Sequence, residues 1–177
     1  QRLKPGPVDV NLLLTGLVEM LRGILGSRIE TKTDLQADLW PAIADATQLE
    51  LMVLNLAINA RDALPDAGTI VIKTANIVRG TQTKPEEPGP GEYVAVIVTD
   101  NGSGMTPAVL ARVFEPFFTT KEVGRGSGLG LSQVLGLAQQ QGGGVSIEST
   151  PGIGTEVRIF VPRALSQTVP EVSQPRR

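Results

Sequence analysis

Between Thr47 and Leu64, the side chains of Asn55, Asn59 and Asp62 fall at i, i+4 and i+7, one polar stripe on a helix otherwise built from Leu49, Leu51, Val53, Leu54, Leu56, Ala57 and Ile58. Amides on so apolar a helix are costly unless they meet partners. An amide oxygen is a hard ligand suited to Mg²⁺, an ion that draws its other ligands from water and phosphate; a solvent-facing stripe has the same spacing. Asp100-Asn-Gly-Ser-Gly-Met105 sets a carboxylate at the end of an apolar run and follows it with two glycines at alternate positions. Such a carboxylate can accept from the amino group of a purine while the ring packs on bare backbone, although Asp-Asn-Gly runs also serve as simple turns. Gly124 to Ser132, GRGSGLGLS, has glycine at every second position from 124 to 130 and runs straight into a helical pattern. Glycine admits positive φ and close approach, and a helix N-terminus offers free N–H groups and partial positive charge, so the pair makes an anion cradle or, read more plainly, a flexible connector.

Between the two glycine stretches lies Phe114-Glu-Pro-Phe-Phe-Thr-Thr-Lys121, which holds three of the four phenylalanines of the chain. Phe114, Phe117 and Phe118 either plug the core or are offered to a partner surface. Lys121 and Arg125 are either solvated charges or contacts to phosphate.

Several chemistries are excluded outright. With no histidine and no cysteine, the chain carries no Ser/His triad, no imidazole base or nucleophile, no disulfide and no thiolate or histidine metal site. No Gly-Lys pair exists, which removes a Walker loop, the glycine spacing is not that of a dinucleotide fold, and an EF-hand lacks its further acids. A eukaryotic-type protein kinase needs a catalytic-loop histidine. A net charge of -2 gives no reason to expect nucleic acid or an anionic membrane as partner, and no apolar run approaches the length of a membrane span.

The elements that must position these residues follow from 177 residues, 41% of them hydrophobic, enough for one domain with one core. Asn11 is expected to cap a first helix ending at Gly26. Arg28 to Leu35 alternates like a strand, with the stretch near Trp40 as its partner. After the Thr47 to Leu64 helix, strands are expected over residues 69–78 and 93–99, joined by the solvated connection GTQTKPEEPGPGE. A short helix at 107–113, a helix at 129–141 and a closing hairpin of 144–149 with 155–161 complete the chain. The expected fold class is therefore α+β, a two-layer sandwich with a mainly antiparallel mixed sheet of about five strands, covered on one face by about three helices. Residues 1–10 read as a leading linker, 11–163 as the domain, and 164–177 as a polar tail outside the fold.

In order, LNLAINARDAL resembles the N box, DNGSGM the G1 box, FEPFFTTK the F box, GRGSGLGLS the G2 box and TPGIGT the last glycine box of the catalytic and ATP-binding domain of sensor histidine kinases. This domain has the Bergerat nucleotide fold shared with gyrase, Hsp90 and MutL. The resemblance covers about residues 5 to 163, and its wording is most similar to PAS-containing and nitrogen-regulatory sensor kinases. It implies ATP and Mg²⁺ as cofactors, with Asn59 as the metal ligand and Asp100 accepting from the adenine amino group. Gly102, Gly104 and Met105 then line the adenine side with Thr155 nearby, and Asp62 belongs to the nucleotide pocket. Gly126, Ser127, Gly128, Leu129, Gly130 and Leu131 meet the phosphates, joined by Lys121 and Arg125, and residues 101–127 form the ATP lid.

Asn55 stands where the ATP-hydrolysing clamps of the superfamily carry a glutamate that activates water, and Glu50 points about 140° away around the helix. Catalysis by Asn55 and Asn59 is then a matter of presenting the γ-phosphoryl to a histidine on another domain. The F box implies docking of that helical dimerisation and phosphoacceptor domain, with a response regulator downstream and no nucleic acid or membrane contact by this segment. The domain by itself is expected to be monomeric, in the bacterial cytoplasm, with any membrane attachment supplied by other segments. A nucleotide-binding regulatory module and a gyrase- or MutL-type ATPase are the alternatives, the latter opposed by Asn55 and the F box.

Overall fold

Alternating side chains make the centre of the molecule. In the computed structural model, which describes residues 2–118 and 130–165, strands β4 (Gly68–Arg79) and β5 (Gly91–Asp100) pair antiparallel over ten residues, with Ile70 opposite Asp100 and Arg79 opposite Gly91. The hairpin β6 (Gly144–Thr150) and β7 (Gly154–Pro162) joins the other side of β5, and β2 (Ile29–Asp34) pairs parallel with β4, giving the order β2-β4-β5-β7-β6.

One face of this sheet is apolar. Ile70, Ile72, Val94, Val96, Val98, Val157 and Ile159 point into a core with residues of α1 (Val10–Leu25), α2 (Ala46–Asp62) and α4 (Gly130–Gln140). Leu14 and Leu21 of α1 and Leu49, Met52 and Val53 of α2 are fully buried there. Period-two strands against period-3.6 helices leave this two-layer packing as the natural way to bury both stripes. On the opposite face, Tyr93, Ala95 and Phe160 form a small second cluster, with Arg79 over the Phe160 ring at 5.0 Å and ion-paired to Glu87 at 2.8 Å. The connection read as fully solvated instead folds back here, because Pro88 is buried and the Glu86 carbonyl accepts from Val145 N at 2.9 Å.

Three further expectations are corrected. Residues 6–8 are not linker but β1 (Gly6–Val8), which pairs antiparallel with β3 (Ala42–Ala44) in a separate two-stranded sheet. Helix α1 is capped by Asp9, whose carboxylate accepts from Leu12 N at 3.1 Å. Asn11, inside the first turn, instead donates to the Gln36 carbonyl and accepts from Thr74 Oγ1, both at 2.8 Å. The stretch near Trp40 is not the partner of β2. It leads into β3, while Trp40 lies under the Arg163 guanidinium at 4.1 Å. The parallel β2–β4 pair requires a long crossover, supplied by β3 and α2, so no local hairpin signal announces it. Just past β7, the Ala164 amide donates to the Pro41 carbonyl. Residues 166–177 lie outside the described residues.

Candidate functional site

Helix α2 is set by its ends. Asp45 caps it by accepting from Gln48 N, and at its far end the Ala63 carbonyl accepts from Ser103 N at 3.3 Å. The helix therefore delivers Asn55 and Asn59, both half-buried, to the layer edge, with Asp62 more exposed and 3.8 Å from the Arg61 guanidinium. Gly130, the first residue of α4, is seated against Asn59: a Cβ there would lie 2.9 Å from Asn59 Nδ2 and 3.1 Å from Oδ1. Two residues 71 positions apart thus place a primary amide beside the N-terminus of an eleven-residue helix. No hydrogen bond occupies the Asn59 amide among the described residues. Leu131 next to it is half-buried on the core.

The second half of the site is a tight knot of backbone at the ends of β5 and β7. Asp100 is 7% exposed and pairs in register with Thr155. Burial pushes its carboxyl above the ordinary carboxylate range, opposed by hydrogen bonds from the Gly102 and Thr155 amides; Gly102 N lies 2.9 Å from Oδ1. A Cβ on Gly102 would stand 2.4 Å from the Ala63 carbonyl oxygen, so the G1 segment lies directly on the C-terminus of α2. Gly104 has φ +69°, and a Cβ on it would meet the Thr150 carbonyl at 2.1 Å. No other residue fits either place. Met105 follows, its amide donating to Ser149 Oγ at 2.8 Å, and Ser149 in turn lies 2.7 Å from Thr155 Oγ1.

Gly102 and Gly130 are therefore set against the C-terminal half of α2, which carries Asn59, while Asp100, Gly104, Met105 and Thr155 belong to the backbone knot that adjoins it through Gly102. Three members escaped the sequence reading. Ser149 joins Met105 to Thr155; Gly154, at φ +143°, would put a Cβ 2.0 Å from the Asp100 carbonyl. Asn101 accepts from Thr69 N at 2.8 Å and ties the knot to β4. The TPGIGT turn announces Gly154, but nothing in an alternating strand distinguishes Ser149. Lys121, Arg125, Gly126, Ser127, Gly128 and Leu129, together with much of the expected lid, lie outside the described residues.

The F-box phenylalanines divide. Phe114 packs against the core, Phe118 lies under the Arg112 guanidinium at 4.5 Å, and Phe117, at φ +66°, is 74% exposed. A cavity of about 660 Å³ opens beside Phe114, between α3 (Pro107–Leu110), Pro116 and Ile147 and the 84–86 segment. It contains neither Asn59, Asp100 nor Gly130, so this hollow belongs to the F box and not to the glycine knot.

A mixed five-stranded sheet under three helices, with a buried acceptor and a helix-borne amide at one edge, defines a nucleotide-binding sandwich of the Bergerat class. The family described as histidine kinase-, DNA gyrase B-, and HSP90-like ATPase matches residues 44–165, and the chain belongs to it. Over 173 residues it is 43% identical to the sensor kinase CckA of Brucella abortus (strain 2308), covering 94% of this chain and 18% of that protein. The structure is similar to full-length ShkA in complex with AMPPNP, at TM-score 0.72 and 28% identity over 94% of this chain and 32% of that one. It is also similar to the mycobacterial sensor histidine kinase MprB, at TM-score 0.69 and 27% identity over 90% of this chain and 98% of that one. The chain thus spans about a fifth of the length of the curated relative, and its architecture is that of a histidine kinase catalytic domain.

Proposed function

We propose that this domain binds ATP with Mg²⁺ and presents the γ-phosphoryl to a histidine on a separate helical domain, as the catalytic part of a two-component sensor kinase. The observation that carries the reading is the Asn59 amide lying against Gly130 at the start of α4. A helix N-terminus favours phosphate, and an amide oxygen beside it suits a metal bridging those phosphates. Asn59 fits the ion: its amide has no competing partner among the described residues, and no cluster of three acidic side chains offers a rival site there. Bound Mg²⁺ would neutralise phosphate charge as the phosphoryl departs.

Asp100, ionised, accepts from the adenine amino group, while Gly102 and Gly104 leave bare backbone for the ring and Thr155 closes its edge. Gly130 and Leu131 offer amides to the phosphates from the start of α4. Where the ATP-hydrolysing clamps carry a water-activating glutamate, this helix has Asn55, which has no basic group, and Glu50 is exposed elsewhere on the helix. Transfer to an outside nucleophile, not hydrolysis, is the reaction such a site favours. Phe117, with the cavity beside Phe114, offers the surface for the helical phosphoacceptor domain, and a response-regulator aspartate receives the phosphoryl afterwards. The reading places the domain in the bacterial cytoplasm; no helix among the described residues is long and apolar enough to cross a membrane.

The test supplies a cognate helical histidine domain in trans with labelled ATP. Label on that domain, abolished by Asn59→Ala, supports the kinase. Nucleotide binding without transfer identifies a regulatory module instead, and rapid phosphate release without a partner identifies an ATPase.

A further inference from the structure

Asp45 is a three-way junction. Its Oδ1 caps α2 by accepting from Gln48 N at 3.2 Å. Its Oδ2 accepts from the backbone N–H of Lys4, 41 residues earlier, at 2.7 Å. Its own N–H donates to the side-chain oxygen of Gln141, 96 residues later and just past α4, at 2.7 Å. Asp45 and Gln141 are both buried.

The last of these bonds is not the one local sequence would make. Asp45-Ala-Thr-Gln48 has the spacing of a capping box, in which the side chain three residues on reaches back to the N-cap amide. Gln48 makes no such bond. The amide is taken by Gln141 across the layer, so the start of α2 is tied to the end of α4. The chain leaving α4 then runs close against β7, since a Cβ on Gly143 would lie 1.8 Å from the Phe160 carbonyl. The other end of the same antiparallel helix pair is Asn59 against Gly130, about 16 Å away at 1.5 Å per residue. Rigid helices carry a tilt at one end to the other.

We propose that Gln141 and Asp45 form a joint that sets the position of α4 against α2, making Gln141 a positioning residue for the nucleotide site and the segment before β1 its lever. The proposal rests on reading the Asn59–Gly130 end as the phosphate site. A pull on residues 2–5 acts on the Asp45 carboxylate, and the Asp45 N–H passes the displacement to Gln141. Gln48 stands ready to close the capping box when Gln141 is absent, so loss of the joint costs the fold little while freeing α4.

Affinity for AMPPNP with Mg²⁺ and the thermal midpoint are measured on the whole chain. Gln141→Met is expected to weaken binding about 5-fold or more with the midpoint nearly unchanged. Lys4→Pro, which removes the donor N–H, is expected to do the same, while Lys4→Ala, which keeps it, leaves affinity at the wild-type value. The Lys4→Pro/Gln141→Met double variant is expected to lose no more than the worse single variant, since both act through one joint. Unchanged affinity in Gln141→Met and Lys4→Pro overturns the proposal. So does an affinity loss that tracks the midpoint, which would make the joint structural only, or full additivity in the double variant. A wild-type chain that binds no AMPPNP sinks the nucleotide reading itself, and the joint with it.

Discussion

Asp45 and Asp100 are shifted in opposite directions for one reason, the number of N–H groups facing each against the water each has lost. Asp45 accepts from Lys4 and Gln48 and is held below the ordinary carboxylate range; its contribution to stability is present above that range and disappears as pH falls through its depressed value. Asp100 is raised by burial, so its ionisation opposes folding, and the fold gains from this group as pH falls through the raised value. Ligand binding needs the ionised form. AMPPNP affinity is therefore expected to fall on acidification at a pH above the ordinary carboxylate range, while Asp100→Asn removes that step from a calorimetric pH series. Gly104 is a conformational constraint of the same knot: Gly104→Ala is expected to lower the unfolding free energy by about 1–3 kcal/mol from backbone strain alone, read from urea denaturation. These residues were legible because chemistry restricts their types. Ser149 was not, because a hydroxyl on a strand edge differs from its neighbours only in what it meets.

The longer helices and the hairpins were read close to their true limits because each carries its own period and its own stop signal, whereas the short helix expected at 107–113 ends at Leu110. Ala46–Asp62 ends at the PDAG turn, and Gly154–Pro162 follows one. Caps were read less well, since Asp9 and Asn11 are both good capping residues and only the demand of Thr74 and Gln36 for the Asn11 amide separates them. Asp9→Ala should cost about 1 kcal/mol in chemical denaturation, whereas an equal or larger loss on Asn11→Ala would reflect its tertiary bonds. Parallel pairing of Ile29–Asp34 with Gly68–Arg79 had no local signature, and neither had the short β1–β3 ladder, because both depend on partners more than 30 residues away. In the central sheet, Ile159→Ala removes a fully buried side chain and should cost about 2–5 kcal/mol by the same measurement.

At the scale of the molecule, one sheet carries two unlike surfaces: the helix-covered face, whose edge holds the glycine knot, and the far face, closed by the Arg79–Glu87 pair over Phe160. A chain with no histidine is expected to form no acid-labile phosphoadduct when incubated alone with labelled ATP, and a stable adduct would contradict transfer to a separate domain. The sole tryptophan has a practical value in this light. Trp40 stacks under Arg163, immediately beyond β7, whose other end carries Thr155, roughly 26 Å of strand away. A cation on the indole face makes its emission sensitive to the last residue of the ladder, so the protein carries a native optical gauge, and a spectral change at Trp40 on adding AMPPNP would report motion relayed along the whole length of β7.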